Sequence, residues 1–247
     1  MAARRRPSRR PALRAVVTDI DGTLTDAHRR VDPQAIRVVR RLESSGIPVV
    51  LATGNVLPIA LALQRFVGTT GPIVAENGGL IYWPRGTHGT VERRADQRLA
   101  LRAWQAVRRA GVPAQRLFTD RWRETEVALE ANVLISAVRR AVRGIPVTVE
   151  STGYALHLIQ RGVGKLPSLR RALEELDLAP EDCVILGDGD NDVGMLRSAG
   201  FSVSFPSASR RARAAASFVT RRDYSAGFEE GLKESGLLSR APEAEGR

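Results

Sequence analysis

Residues 13–23 read LRAVVTDIDGT, a short β-rich run that breaks into the acidic turn Asp19-Ile20-Asp21-Gly22-Thr23. The run is long enough for one buried strand, and the turn ends it. The next segments obey the same grammar. Asp32 can cap a helix whose first turn takes Pro33, whose apolar face is Ala35, Ile36, Val38, Val39 and Leu42, and which stops at Gly46. Residues 47–52 (IPVVLA) predict a second strand and Thr53-Gly54-Asn55 its loop. An apolar helix over 56–67 leads to a third strand at 72–75 and the turn Glu76-Asn77-Gly78-Gly79. Strand and helix alternate, with polar loops after the strands. That order predicts a doubly wound α/β core with a parallel sheet, whose ligand sites lie at the C-terminal ends of the strands.

Between 83 and 161 the rhythm changes. A long helix near 94–110, a strand at 126–129, a helix near 133–142 and strands around 146–150 and 154–159 no longer alternate in βα units. This predicts an inserted, smaller α+β cap domain over 83–161. After Lys165 the first pattern resumes with a helix over 169–176, a strand at 183–186 and the loop Gly187-Asp188-Gly189-Asp190-Asn191-Asp192. A helix through Met195, a strand at 201–205 and a helix near 227–237 complete a core made of 13–82 and 162–237. Residues 1–12 and 238–247 are expected to be flexible tails. No internal repeat is present.

Composition narrows the function classes. With 247 residues, 43% hydrophobic and 26% charged, the chain has the make-up of a folded globular protein. No apolar run approaches the ~20 residues needed to span a bilayer, so no membrane partner is expected. The formal charge of +11 is unevenly spread: residues 1–14 carry six arginines and no acid, which leaves +5 for the rest. A Pro/Arg-rich tail of this kind is a solvated segment with at most weak polyanion contact, and nucleic acid is not the expected partner of the whole protein. No apolar stretch of signal-peptide type lies between those arginines and Asp19, so cytoplasm is the expected location. A lone Cys183 excludes an intramolecular disulfide framework and a cysteine-rich zinc site. Nothing in the sequence sets an oligomeric state. Of 38 basic residues only Lys165 and Lys233 are lysine, the other 36 being arginine.

Three loops, DIDGT, TGN and GDGDND, each come directly after a predicted strand and so converge on one rim of the sheet. Carboxylates gathered there repel one another unless a cation neutralises them, and several aspartates suit a hard divalent ion, magnesium above all. A hydroxyl from Thr53, backbone amides beside Gly54 and one positive side chain suffice for a phosphate. Taken singly the loops say little: DxDG is a common turn, and GDGDND alone also fits a calcium loop or a solvated bend. Their order and placement point together to chemistry.

Asp19-Ile20-Asp21-Gly22-Thr23-Leu24-Thr25 resembles the first motif of the haloacid dehalogenase superfamily of phosphohydrolases. Thr53 resembles its second motif, Lys165 its third, and Gly187-Asp188 with Asn191-Asp192 its fourth. The insertion between the second and third motifs is similar to the type 2 caps, and TGN with a small cap resembles the archaeal-type phosphoglycolate phosphatases. The resemblance implies a Rossmann-like core and a magnesium-dependent phosphatase for a small phosphorylated metabolite, with 2-phosphoglycolate favoured and a sugar phosphate the alternative. By it Asp19 is the nucleophile and Asp21 the general acid and base. Asp19, Asp21, Asp188 and Asp192 hold the metal, and Thr53, Gly54, Asn55, Lys165 and Asn191 bind or orient the phosphate. The family commonly has glycine after the third-motif lysine, where this chain has Leu166 and Pro167.

Other residues carry weaker signals. Cys183 reads as a small buried hydrophobe. His28, His88 and His157 share no metal spacing and read as structural or surface residues, Trp83, Trp104 and Trp122 as packing, and Asp190 as a bystander between ligands. Arg123, in DRWRE at 120–124, is the first candidate to meet a substrate carboxylate. The rival of another class is an arginine-rich nucleic-acid-binding or scaffold protein with a vestigial site.

Overall fold

Four consecutive buried residues form β1 (Ala15–Thr18), which lies inside an eight-stranded sheet with parallel neighbours on both sides. The computed structural model describes residues 13–152 and 154–238; segments 1–12 and 239–247, read from sequence as tails, lie outside these residues. From β1 the chain runs through α1 (Pro33–Ser44), β2 (Val49–Ala52), α2 (Leu57–Val67) and β3 (Ile73–Ala75). A hairpin of β4 (Leu80–Trp83) and β5 (Thr90–Arg93) then closes that edge in antiparallel register. Next come α3 (Gln97–Arg109), β6 (Val127–Glu130), α4 (Ile135–Ala141), β7 (Val147–Ser151) and β8 (Ala155–Gln160), whose strands pair antiparallel in the order β6-β8-β7. The chain re-enters the large sheet through α5 (Lys165–Glu174) and β9 (Cys183–Leu186). It ends with α6 (Val193–Ser198), β10 (Phe201–Ser204), α7 (Arg210–Ala215), β11 (Phe218–Val219) and α8 (Tyr224–Ser235).

The large sheet has the order β11-β10-β9-β1-β2-β3-β4-β5, parallel from β11 to β3. Successive strands move outward from β1 in one direction and from β9 in the other. The switch point is therefore at β1 and β9, where a doubly wound sheet opens its ligand crevice. Local chemistry sets the elements as the sequence implies: Asp32 caps α1 by accepting from the Gln34 amide at 2.7 Å, and Pro33 opens the helix. The main core gathers the sheet strands with Leu42, Leu169, Leu173 and Phe228, while Ala103, Val107, Leu129, Val138 and Leu158 form a second core between α3, α4 and the small sheet. Among the described residues no helix is long and apolar enough to cross a membrane.

Three boundaries differ from the expected ones. The sequence places Trp83 and residues 90–93 in the cap, yet they belong to the large sheet, because the β4–β5 hairpin breaks the βα rhythm without leaving that sheet. Trp83 is buried in the main core, its Nε1 donating to the Ala172 carbonyl at 3.4 Å. Leu238, expected in the C-terminal tail, is buried in that core as well. The helix expected from 169 begins at Lys165, with Pro167 in its first turn, and Leu166 packs against the main core. The leucine that replaces the family's usual glycine is thereby absorbed in packing.

The seat of α5 is a close backbone approach. Gly78 has φ +97°, and a Cβ there would overlap the Gly164 carbonyl and come within 3.0 Å of the Lys165 amide. The Ser168 hydroxyl donates to the Gly78 carbonyl at 2.6 Å across the same contact. Gly78→Ala is expected to destabilise the protein by about 1–2 kcal/mol from left-handed strain alone, and by more from the overlap. For a chain of this size each kcal/mol moves the midpoint by roughly 2–4 °C. A drop of several degrees in thermal unfolding followed by circular dichroism is the expected result; an unchanged midpoint would contradict the close approach.

Candidate active site

The floor of the site is built where three elements end or begin. Asp19 comes after β1 and donates its amide to the Leu186 carbonyl at the end of β9, at 3.1 Å, so the first acidic loop starts beside the last. Lys165 opens α5 between them. Its Nζ donates to Asp19 Oδ1 at 2.8 Å and to Asp192 Oδ1 at 2.7 Å, with the side chain 1% exposed. Asp192 Oδ2 accepts from the amides of Asp188 and Gly189 at 3.2 and 2.9 Å, which folds the GDGDND loop around it. Gly22, at φ +75°, lets the two acidic loops touch, since a Cβ there would press into the Asp188 carboxylate. Asp190 turns away to Ser209 and Arg211, at 2.7 and 3.1 Å, and is no part of this floor.

Oxygens of Asp19, Asp188 and Asp192 lie within 4.8 Å of one another. One ammonium faces them. Burial, reinforced by Asp192, Asp188 and Asp21 and opposed by Lys165, pushes the Asp19 carboxyl well above its usual range. Burial and the Asp192 charge push Asp188 up to about 7. For Lys165, burial works against the charged form, yet Asp19 and Asp192 outweigh it and raise its pKa, so it stays an ammonium. The floor holds more negative charge than its own residues neutralise. This donor set fits a hard divalent cation such as magnesium, with carboxylate oxygens close enough to share it.

Beside the floor, Asn55 Nδ2 donates to Asp21 Oδ2 at 2.6 Å and the Asn55 amide donates to Thr53 Oγ1 at 3.0 Å. Asn55, whose backbone is the part expected at the phosphate, uses its side chain to hold Asp21. Burial raises the Asp21 carboxyl, against the pull of Arg29 and the Asn55 hydrogen bond. Asn191 donates to Asn77 Oδ1 at 3.0 Å and Asn77 to Glu126 Oε2 at 3.0 Å, a chain of side chains from the acidic loop into β6 and its approach. Glu76 and Asn77 both take left-handed backbone, φ 50° and 53°. Glu76 is fully buried and accepts from Thr125 Oγ1 and N at 2.6 and 2.9 Å and from Glu124 N at 3.1 Å; burial pushes it up to about 7.

A cavity of about 250 Å³ lies over this floor, lined by Asp19, Asp21, Gly54 and Asp188 below and by Arg123 and His157 of the smaller unit above. Arg29 stacks its guanidinium 3.4 Å from the Tyr154 ring centre at the cavity edge. Arg123 and Glu126 form a buried ion pair, and His157 Nδ1 lies 3.0 Å from the same Glu126 oxygen. His157, read from sequence as structural or surface, is buried and bonded to Glu126 beside the cavity, while the sequence reading passes over Glu126 and Arg29 as site residues. A glutamate opening the apolar run 126–129 was the available sign, since a charge in a buried strand requires partners. Cys183 is buried, with burial raising its thiol to about 12, as the reading of a small hydrophobe implies.

The profile of the haloacid dehalogenase-like hydrolases matches residues 16–122 and 124–232. The chain belongs to this family. Phosphoglycolate phosphatase of Methanoculleus marisnigri is 37% identical over 228 residues, which cover 90% of this chain and 96% of that protein. The phosphoglycolate phosphatase of Methanothermobacter thermautotrophicus is 34% identical over 90% of this chain and 98% of its own. Among solved structures, a Thermoplasma acidophilum protein superposes with TM-score 0.83 at 25% identity, covering 92% of this chain and 100% of that one. A haloacid dehalogenase subclass IIB sugar phosphatase does so with TM-score 0.74 at 17% identity, over 91% of this chain and 100% of its own, a likeness of fold.

In this haloacid dehalogenase-like hydrolase Asp19, Asp21 and Asp188 line one crevice, and Lys165, Asp192 and Thr53 join it through hydrogen bonds, Lys165 to Asp19 and Asp192, and Thr53 to the lining residue Asn55. Removing the buried ammonium leaves buried carboxylates without their counter-charge. Lys165→Met is accordingly expected to cost about 3–5 kcal/mol in urea unfolding without divalent cations. A loss below about 1 kcal/mol would show that Lys165 does not hold the acidic floor together.

Proposed function

We propose that this haloacid dehalogenase-like hydrolase is a phosphatase that takes the phosphoryl group of a small monoester onto Asp19 and then passes it to water, with 2-phosphoglycolate as substrate. The observation that carries the reading is the double hydrogen bond from Lys165 to Asp19 and Asp192, with Asp21 held two residues away by Asn55. Lys165 fixes the Asp19 carboxylate and offsets charge as phosphorus is attacked. A carboxylate oxygen of Asp19 bonds to phosphorus while the ester P–O bond breaks, and Asp21 gives its proton to the departing alkoxide. Asp21 then takes a proton from water as that water attacks phosphorus, releasing phosphate and restoring Asp19.

Thr53 Oγ1 already accepts from the Asn55 amide, which leaves its hydroxyl proton and the Gly54 amide for phosphoryl oxygens. Asp19, the Asp21 backbone carbonyl, Asp188 and Asp192 would hold magnesium. Asp192, whose oxygens already accept from Lys165, Asp188 and Gly189, would share the charge and keep Asp188 in place. The ion when bound supplies electrophilic stabilisation of the phosphoryl oxygens and neutralises the floor. Asn191, tied to Asn77, orients the loop. The substrate assignment is supported by the names of relatives 37% and 34% identical over nearly the whole chain and by a cavity of about 250 Å³, small enough to favour a compact ligand.

Hydrolysis of 2-phosphoglycolate and of p-nitrophenyl phosphate, with magnesium and with excess EDTA, tests this. Turnover is expected to need the metal, and Asp19→Asn, which keeps shape and removes the attacking charge, is expected to lose at least about 10³-fold. Near wild-type turnover of Asp19→Asn in saturating magnesium would remove Asp19 from the chemistry.

A further inference from the structure

We infer that Arg123 is the specificity-determining residue of the cavity, receiving a carboxylate carried by the substrate close to its phosphate; this rests on the phosphatase reading. The cavity is lined by charges of both signs. Asp19, Asp21 and Asp188 occupy the core side, and the guanidinium of Arg123 faces them from the opposite wall. A ligand bearing only a phosphate would use the acidic floor and make no use of Arg123. A phosphate with a carboxylate a few bonds away satisfies both.

The geometry of Arg123 suits that task. It is 6% exposed, so it is no surface arginine that happens to lie near a cleft. Its Nη1 is bonded to Glu126 and donates to the Gly54 carbonyl at 3.0 Å, which ties it to the loop that borders the phosphate position. Its Nε is buried without a hydrogen bond, 3.8 Å from the nearest Asp120 oxygen. A buried donor left without a hydrogen bond is uncommon and calls for a ligand or water. A guanidinium fixed through Nη1 and lining the cavity can offer its remaining N–H groups to a carboxylate. Glu126, itself held by Asn77 and His157, is the positioning residue that keeps the fork oriented. Because Arg123 contacts Gly54 directly, the distance between phosphate and carboxylate is short, and 2-phosphoglycolate, with a single carbon between ester oxygen and carboxylate, belongs to the class selected.

The test compares kcat/KM for 2-phosphoglycolate and 2-hydroxyethyl phosphate, in which an alcohol replaces the carboxylate. Wild-type protein is expected to prefer the carboxylate, and Arg123→Gln to reduce that preference by about 10- to 10²-fold, the worth of a charged hydrogen bond. Arg123→Lys, which keeps the charge and loses the fork, is expected to fall between them. An equal loss on both esters would make Arg123 a mere support for the Gly54 loop and overturn the inference. So would a wild type that turns over both esters equally, while the phosphatase reading stood; turnover of neither would remove that reading and this one with it. Should the Gln variant not fold, inhibition of the wild-type p-nitrophenyl phosphatase decides. Phosphonoacetate is expected to bind at least about 10-fold more tightly than 2-hydroxyethylphosphonate, and equal inhibition would refute carboxylate capture.

Discussion

One buried ammonium organises this molecule's chemistry. Lys165 sits at the first turn of α5, where the helix dipole disfavours a cation, and it is held there by Asp19 on one loop and Asp192 on another. Its charge lets two carboxylates from non-adjacent segments share a dry space. The choice of lysine has a physical reason in a chain that otherwise uses arginine: an ammonium is a compact point charge able to fit between two carboxylates, whereas a guanidinium is a wide fork. The other lysine, Lys233, makes an ordinary i,i+4 pair with Glu229 at 2.7 Å on a helix surface.

The fold serves that interaction. Parallel strands β1, β2 and β9 end on one rim, so the loops carrying Asp19, Thr53 and Asp188 meet without any of them being long. Gly78 admits the backbone of Gly164 and so sets where α5 begins, which decides where the ammonium lies. On the other side of the same turn, Glu76 and Asn77 reach Thr125 and Glu126, and the smaller unit is docked by buried polar contacts in place of a greasy interface. Asp19, Asp21, Asp188 and Arg29 line the cavity from the core, and Arg123 and His157 from the cap.

Most of the framework was legible because local signals agreed with tertiary ones. Asp32-Pro33 marks a helix start unambiguously, residues 183–186 form an apolar run of strand length, and both appear as expected. The acidic loops were legible because like charges after successive strands need a common neutraliser. Less was visible where meaning depends on long-range packing. The β4–β5 hairpin resembled a change of domain, since pairing partners cannot be read from alternation alone. The residues 210–215 and 218–219 are too short to announce α7 and β11. His157 carries no spacing signature, and only the return of β8 beside β6 brings it to Glu126. Asn55 reads from its loop as a phosphate ligand through its backbone, and the loop alone does not announce that its side chain reaches back to Asp21, a contact 34 residues apart in sequence.

That Lys165 presents Asp19 as the nucleophile is tested most directly by trapping. An Asp21→Asn protein, slowed in releasing the intermediate, is mixed with substrate and magnesium, quenched in acid and digested for mass spectrometry. One phosphoryl group on the peptide containing Asp19, absent when Asp19 is replaced as well, is the predicted result. A phosphoryl group on another residue, or turnover by the Asp21→Asn protein with Asp19 never labelled, would contradict it.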